Sequence, residues 1–384
     1  MIWHYSHIKS KGVLFSFFKR EIMYSYNMNI HHLLFALTTI FNGAYSLKCS
    51  WNYRFDSIDN HFNIVYPDDN AVYFGMIIPP NTSNFRILSD EKETIFLPNH
   101  PAATYFSIQV YDTSDLVTSF YHVKDIDLFE MNELMEKSSQ FNLTVALDTD
   151  RRYFALFRIY GSYFTSNDIS LYYWSGLPPR TFIDGEEYFL CDIDYQQQDN
   201  IYTNITHELN TITGTVCIEN DAFQFMEAPP GSLMNADANY MVACIQPNAY
   251  YTVSIQVPRV MCSIGYNKES EHPWINEQYD LRYASLSIIS TTAPRPTIVS
   301  YVIPCDTIVY NVEIYVSNDV PLPGLLYRQL LPNPSFEESI EYAKKKCYDY
   351  VNSIYDIYCI QILMGDYYPR LFPAQTEVVL EKID

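Results

Sequence analysis

"NAVYFGMIIPP", Asn70 to Pro80, decides the fold. It is an apolar run that stops at a proline pair, as a strand stops where Pro removes a ladder donor. A second stretch, "NAYYTVSIQVP", Asn248 to Pro258, reads alike. Asn70, Ala71, Tyr73, Ile77 and Pro80 recur as Asn248, Ala249, Tyr251, Ile255 and Pro258. The same offset carries Tyr105 onto Tyr283, Ser107 onto Ser285, Ile108 onto Leu286 and Phe96 onto Trp274. Two strand blocks recur together with the gap between them. This predicts a β-domain present twice, each copy with a Pro-stopped strand, a loop, and an alternating strand that begins with Tyr.

The surrounding chain supports strands. "YFSIQVYD" (Tyr105 to Asp112) and "TVSIQV" (Thr252 to Val257) alternate with period two, and "FNLTVAL", "YFALFRIYG", "ISLYYW", "TIVSYVIP" and "TIVYNVEIYV" are further short runs. Turn signals such as Pro67-Asp68-Asp69, Pro178-Pro179 and Asp184-Gly185 separate them. After Pro334, Ser335 and Glu338 form a capping-box pattern, and Phe336, Ile340, Ala343, Cys347, Val351 and Ile354 recur at helical spacing. They predict an amphipathic helix of about five turns. Leu128 to Ser139 is a shorter helical candidate. The predicted class is all-β: two related antiparallel, jelly-roll-like β-sandwich domains with a C-terminal amphipathic helix. Residues 47–208 form the first sandwich, 209–325 the second, and 326–384 a helix and tail packed on it.

Composition narrows the function. Thirty-five Tyr and 23 Phe stand beside 11 Gly, which favours pleated surfaces over glycine-rich phosphate loops. A formal charge of −21 opposes nucleic acid and anionic lipid. "MNIHHLLFALTTIFNGAYS", Met28 to Ser46, has an apolar core, Leu33 to Phe41, and small residues at −3 and −1 of a cut after Ser46. That is the grammar of a secretory leader, and its core is shorter than a bilayer span. Residues 1–27 are then a leader extension or a mis-assigned start. All eight cysteines follow the cut: Cys49, Cys191, Cys217, Cys244, Cys262, Cys305, Cys347 and Cys359. An even set without CxxC spacing predicts disulfides, with the pairing open. Asn81, Asn142 and Asn204 begin N-glycosylation sequons. The expectation is a secreted protein without a membrane span.

"YPDDNAVYFGMIIPP", "HPAATYFSIQVYD", "RYFALFRIYGS", "QYDLRYASLSI", "LLYRQLLPNPSFEESI" and "MGDYYPR" occur in that order over most of residues 50 to 370. Together they resemble a family of uncharacterised secreted proteins of bacteria and algae. The resemblance implies jelly-roll-like sandwiches and no established activity. Thr104, Ala284 and Ile288 depart from the family's Arg, Trp and a Cys at those places, while Cys305 matches that cysteine's partner.

Candidate chemistry is thin. No two of His61, His100, His122, His207 and His272 are spaced as paired metal ligands, so no metal or other cofactor is expected. No GxSxG elbow occurs. Asp68-Asp69, Asp148 with Asp150, and Asp192, Asp194 and Asp199 read as solvated turns rather than calcium loops. Amphipathic rings remain: Tyr172, Tyr173, Trp174, Trp274, Tyr367 and Tyr368. In "MGDYYPR", Gly365 and Pro369 shape a turn, Asp366 can pair with Arg370, and two Tyr are left to pack or bind. Trp274, Asp366, Tyr367, Tyr368 and Arg370 are the candidate binding residues; no catalytic residue is assigned. The expected function is a non-catalytic binding or structural module for an extracellular glycan or protein. The alternative is a hydrolase of extracellular polymer with acidic residues in a cleft between the sandwiches.

Overall fold

The computed structural model describes residues 48–373, apart from 56–62, 64–65, 89–104, 114–118, 125–126, 128–141, 161–178, 192–221, 227–232, 261–278, 293–294, 306 and 352–355. The expected leader, the helical candidate at 128–139, Tyr172 to Trp174, Trp274, Asn204, Cys217 and Cys262 lie outside the described residues.

The first half supplies β1 (Cys49–Ser50), β2 (Tyr53–Phe55), β3 (Ala71–Ile78), β4 (Asn84–Leu88), β5 (Tyr105–Asp112), β6 (Ser119–Lys124), β7 (Asn142–Ala146), β8 (Tyr153–Tyr160), β9 (Arg180–Ile183) and β10 (Glu186–Leu190). They form two sheets, ordered β2-β3-β8-β5-β6 and β1-β10-β9-β4-β7. The second half supplies β11 (Gln224–Phe225), β12 (Ala238–Cys244), β13 (Ala249–Gln256), β14 (Leu281–Ser290), β15 (Thr297–Val302), β16 (Val309–Val316), β17 (Pro323–Pro332) and β18 (Arg370–Pro373). Their sheets are β11-β12-β17-β14-β15 and β16-β13-β18. Helices α1 (Ile340–Val351) and α2 (Ile357–Met364) lie between β17 and β18.

The two sandwiches correspond strand for strand. β2 to β9 and β11 to β18 follow the same order and make the same neighbours, and β1 and β10 extend the first. One half of the expected repeat therefore stands: Tyr105-x-Ser107 and Tyr283-x-Ser285 occupy β5 and β14, at one topological place. The other half is corrected. Asn70-Ala71 opens β3, but Asn248-Ala249 opens β13, whose counterpart is β4. The true partner of β3 is β12, which begins Asp237-Ala238-Asn239-Tyr240 against Asn70-Ala71-Val72-Tyr73. The turns into both strands match. The Ala71 N–H donates to the Asp68 carbonyl (3.0 Å) as the Ala238 N–H donates to Asn235 (3.1 Å). Asp68 Oδ1 accepts from the Asn70 N–H (2.9 Å) as Asn235 Oδ1 accepts from the Asp237 N–H (3.1 Å).

Each sandwich has its own core. Trp51, Phe74, Phe85, Phe106, Ile108, Leu143 and Phe157 fill the first; Met241, Val253, Ile255, Leu286, Ile314, Tyr327 and Ile360 are part of the second. Burying a side chain of this size contributes about 1.5–3 kcal/mol. The predicted Asp184-Gly185 turn joins β9 to β10 with positive φ at both residues (49° and 86°), the twist that suits a two-residue hairpin. A disulfide ties Cys49 to Cys191 at the mouth of the first sandwich, and another ties Cys347 on α1 to Cys359 on α2. Cys244 and Cys305 are disulfide-bonded as well.

The C-terminal helix differs from expectation at its ends. Ile340, Ala343 and Cys347 are buried as the periodicity predicts, yet the helix starts one turn later than Ser335. Ser339 supplies the cap: its hydroxyl accepts from the Tyr342 N–H (3.1 Å). Ser335 is held instead in a turn on Asn333 Oδ1 (3.0 Å). The chain also crosses the division drawn after residue 325, because β17 spans it and pairs with both β12 and β14.

Candidate functional site

The seam between the sandwiches is the first place to look for paired carboxylates. It is formed by the faces of β2-β3-β8-β5-β6 and β11-β12-β17-β14-β15 that point away from the two cores, and it buries Tyr73, Tyr105, Tyr111, Tyr160, Tyr283 and Leu330 in one cluster. Two arginines sit at equivalent positions. Arg158 lies between Tyr73 and Ser107, and Arg328 between Tyr240 and Ser285. Each reaches across to the turn that enters the other sandwich: Arg328 Nη2 donates to the Tyr66 carbonyl (3.0 Å), and Arg158 Nη2 to that of Leu233. Tyr66 and Leu233 both have positive φ (62° and 48°).

The acids of the seam are committed. Asp68 is fully buried, ion-paired with Arg328, and accepts from Tyr283 Oη (3.0 Å) and Ser285 Oγ (2.6 Å). Asp237 takes Tyr105 Oη, the His122 ring Nε2 (2.6 Å) and Lys124 Nζ (3.6 Å). Burial works to raise the Asp237 carboxyl, but His122, Tyr105 and Lys124 outweigh it and hold the group below the ordinary aspartate value. Burial pushes the Tyr73 and Tyr283 phenols well up, so they remain donors, and it pushes Tyr240 up to about 12. The seam is thus a polar layer between two aromatic faces in which both acids are paired, while Ser107 Oγ, Asn235 Nδ2 and Arg328 Nε are buried without a hydrogen-bond partner. Among the described residues, no group of three or more His, Cys, Asp or Glu is arranged to hold a metal ion.

The outward face of β16-β13-β18 has the opposite character. Tyr251, Val253 and Ile255 point into the core, which turns Tyr250, Thr252, Ser254 and Gln256 to solvent. Register aligns these with their neighbours in rows: Tyr250 with Tyr315; Thr252 with Glu313 and Phe372; Ser254 with Asn311 and Arg370. Rows repeat about every 6.8 Å and strands lie about 4.8 Å apart, so the platform is roughly 10 Å wide and 20 Å long. Tyr250 and Tyr315 are 61% and 49% exposed, with ring centroids 4.7 Å apart, and Phe372 is 50% exposed. The Tyr315 hydroxyl donates to Asn248 Oδ1 (2.9 Å), which fixes its ring.

The segment singled out in the sequence borders this platform. Arg370 and Phe372 belong to the edge strand, and together with Gly365, Tyr368 and Pro369 they line a hollow of about 430 Å³. Asp366 pairs with Arg370 across an exposed turn (3.4 Å). Tyr367 packs edge-on against Phe336 (5.1 Å) and is half-buried. Tyr368 turns inward, is 8% exposed and donates to the Phe223 carbonyl (2.8 Å), so it braces the site rather than presenting a ring. Tyr250, Tyr315 and Phe372 are the exposed rings of this platform, and none of them was singled out in the sequence. The parity of "AYYTVSIQ" was the available signal for Tyr250; pairing across strands was not legible for the other two.

Asn81 and Asn142 are both exposed. Asn142 lies on the corresponding outer face of the first sandwich, where its Oδ1 accepts from Arg86 Nε (2.8 Å). There Phe182 is stacked under both Arg86 (5.2 Å) and Arg180 (5.3 Å), and Arg180 pairs with Glu187 (2.7 Å). On that face Arg180 is paired and Arg86 is held by Asn142.

No family model matches the chain, and no curated protein is detectably similar to it in sequence. Among solved structures, it is similar to an uncharacterized protein from Burkholderia cenocepacia (8% identity, 69% of this chain and 74% of that one, TM-score 0.38). A protein from Vibrio parahaemolyticus is similar at 9% identity, over 90% of this chain and 96% of that one, with TM-score 0.38. The tandem CBM51 modules of a family 98 glycoside hydrolase from Streptococcus pneumoniae follow at 10% identity, 70% and 78% coverage and TM-score 0.18. The functional reading rests on this chain's own residues.

Proposed function

We propose that this chain is a secreted, non-catalytic binding module that recognises a glycan on the outward face of β16-β13-β18. The observation that carries the reading is the exposed pair Tyr250 and Tyr315 in one row and Phe372 in the next, beside the hydrogen-bonding side chains Thr252, Glu313, Ser254, Asn311 and Arg370. A pyranose has apolar C–H faces and a hydroxyl rim. Rings take the faces and neighbouring polar groups take the rim, which is how amphipathic aromatics serve as anchors. The acidic chain disfavours polyanionic sugars, so the class favoured is a neutral or amino-bearing polysaccharide.

Secretion rests on the leader grammar at 28–46 and is supported by the disulfides. No helix among the described residues is long and apolar enough to cross a membrane. Asn81, Asn142 and Asn204 are the proposed glycan attachment sites. The hydrolase alternative placed its acids between the sandwiches, where Asp68 and Asp237 are taken up by Arg328 and by His122, Tyr105 and Lys124. The test is a glycan array probed with the purified full chain and scored in parallel for chain shortening. Binding of a neutral or amino-bearing glycan without cleavage is expected. Turnover of any polymer, or retention of none, contradicts the proposal.

A further inference from the structure

Tyr66 and Arg295 meet beside the seam, in the stretches that lead into β3 and β15. Their backbones are joined: the Tyr66 N–H donates to the Arg295 carbonyl (2.9 Å). Both hold positive φ, 62° and 63°, a conformation that costs an L residue roughly 1–2 kcal/mol. Both are buried, at 5% and 2% exposure. Yet Arg295 Nε, Arg295 Nη1 and the Tyr66 hydroxyl have no hydrogen-bond partner.

A guanidinium with two nitrogens buried and unpartnered is unusual, because desolvating a charge without a counter-charge costs several kcal/mol. Among the described residues, none supplies one. Tyr66 packs among Met226, Val242, Ile289 and Leu326. Arg328 donates to the Tyr66 carbonyl and adds a second positive charge, and Asp68 is already paired with it. Asp69 is engaged at the Ser300 N–H (2.6 Å). Burial pushes the Arg295 guanidinium down from its ordinary value, against the pull of Tyr66. Burial raises the Tyr66 phenol, so it stays a donor.

We propose that Arg295 and Tyr66 form a receptor for a small anion, independent of the glycan platform. Three donors without an acceptor select a ligand that only accepts, and a negative charge neutralises the guanidinium. A halide or a compact oxyanion shares this chemistry, and chloride is the probe. Bound only by the folded chain, it stabilises that state by mass action.

The test is thermal unfolding of the full chain as chloride replaces isethionate at constant ionic strength. The midpoint is expected to rise by several degrees and to saturate. Arg295→Gln abolishes the rise, and Tyr66→Phe moves half-saturation to about fivefold higher chloride, the loss of one hydrogen bond of about 1 kcal/mol. Should Arg295→Gln fail to fold, Tyr66→Phe and a bromide-soaked crystal still decide: anomalous density is expected within hydrogen-bond reach of Arg295 and Tyr66. A chloride response unchanged in either variant, or ordered water alone at that place in the crystal, overturns the proposal. Formate in place of chloride separates an oxyanion preference from a halide one; either preference, lost in Arg295→Gln, supports the site.

Discussion

The seam and the outward platform use the same side chains to opposite ends. In the seam, the rows Tyr73–Arg158–Ser107 and Tyr240–Arg328–Ser285 meet a facing sheet, and the buried phenols stay protonated as donors. On the platform, Tyr250–Tyr315 and the Phe372–Thr252–Glu313 row face solvent. The contrast separates two jobs for aromatic residues in one chain. Seam rings hold the sandwiches together, so their loss should cost stability. Platform rings contribute little to the core, so their loss should cost recognition.

The largest effect should come from the seam. Arg328→Met leaves Asp68 buried without its counter-charge, and removing one partner of a buried pair costs about 3–5 kcal/mol. Chemical denaturation should show that loss, and a change below about 1 kcal/mol would erase the distinction between seam and platform.

Acid should act on the seam next. Asp237 is held below its ordinary pKa, so it contributes stability that is present above the unfolded value, about 3.9. That contribution is lost as pH falls through the lower folded value. Asp237→Asn should lower stability near neutral pH and flatten this part of the acid limb. Denaturation midpoints between pH 6 and pH 2 check it; parallel curves for the two proteins would mean that Asp237 is not coupled to His122 and Lys124.

How much of this was readable beforehand follows from where the signals lie. Period two marked β5 and β13, short apolar runs marked β8 and β16, and helical spacing marked the buried face of α1, because side-chain direction is local. Which strands correspond is not local. Asn248-Ala249 matched Asn70-Ala71 letter for letter, while the true counterpart, Asp237-Ala238-x-Tyr240, matched in turn geometry. The platform was half legible. Arg370 and Asp366 were legible from their turn, while Tyr368 was left to pack or bind. The 3-10 turn at Gly365–Tyr367 directs it inward to Phe223, and no alternation records that. Arg295 carries no motif at all; only burial without a partner reveals it.

The smallest effect should come from the first sandwich's outer face. Phe182 there is clamped by Arg86 and Arg180, so Phe182→Ala should leave glycan retention within about twofold and alter stability by about 1 kcal/mol. A large loss of retention would move the site to that face.

The most direct measurement is calorimetric titration of the best array ligand into the wild type and into Tyr250→Ala with Phe372→Ala, alongside their unfolding midpoints. The account predicts affinity weakened at least about tenfold, some 1.4 kcal/mol, with unfolding nearly unchanged. Undiminished affinity in the doubly substituted chain would contradict it.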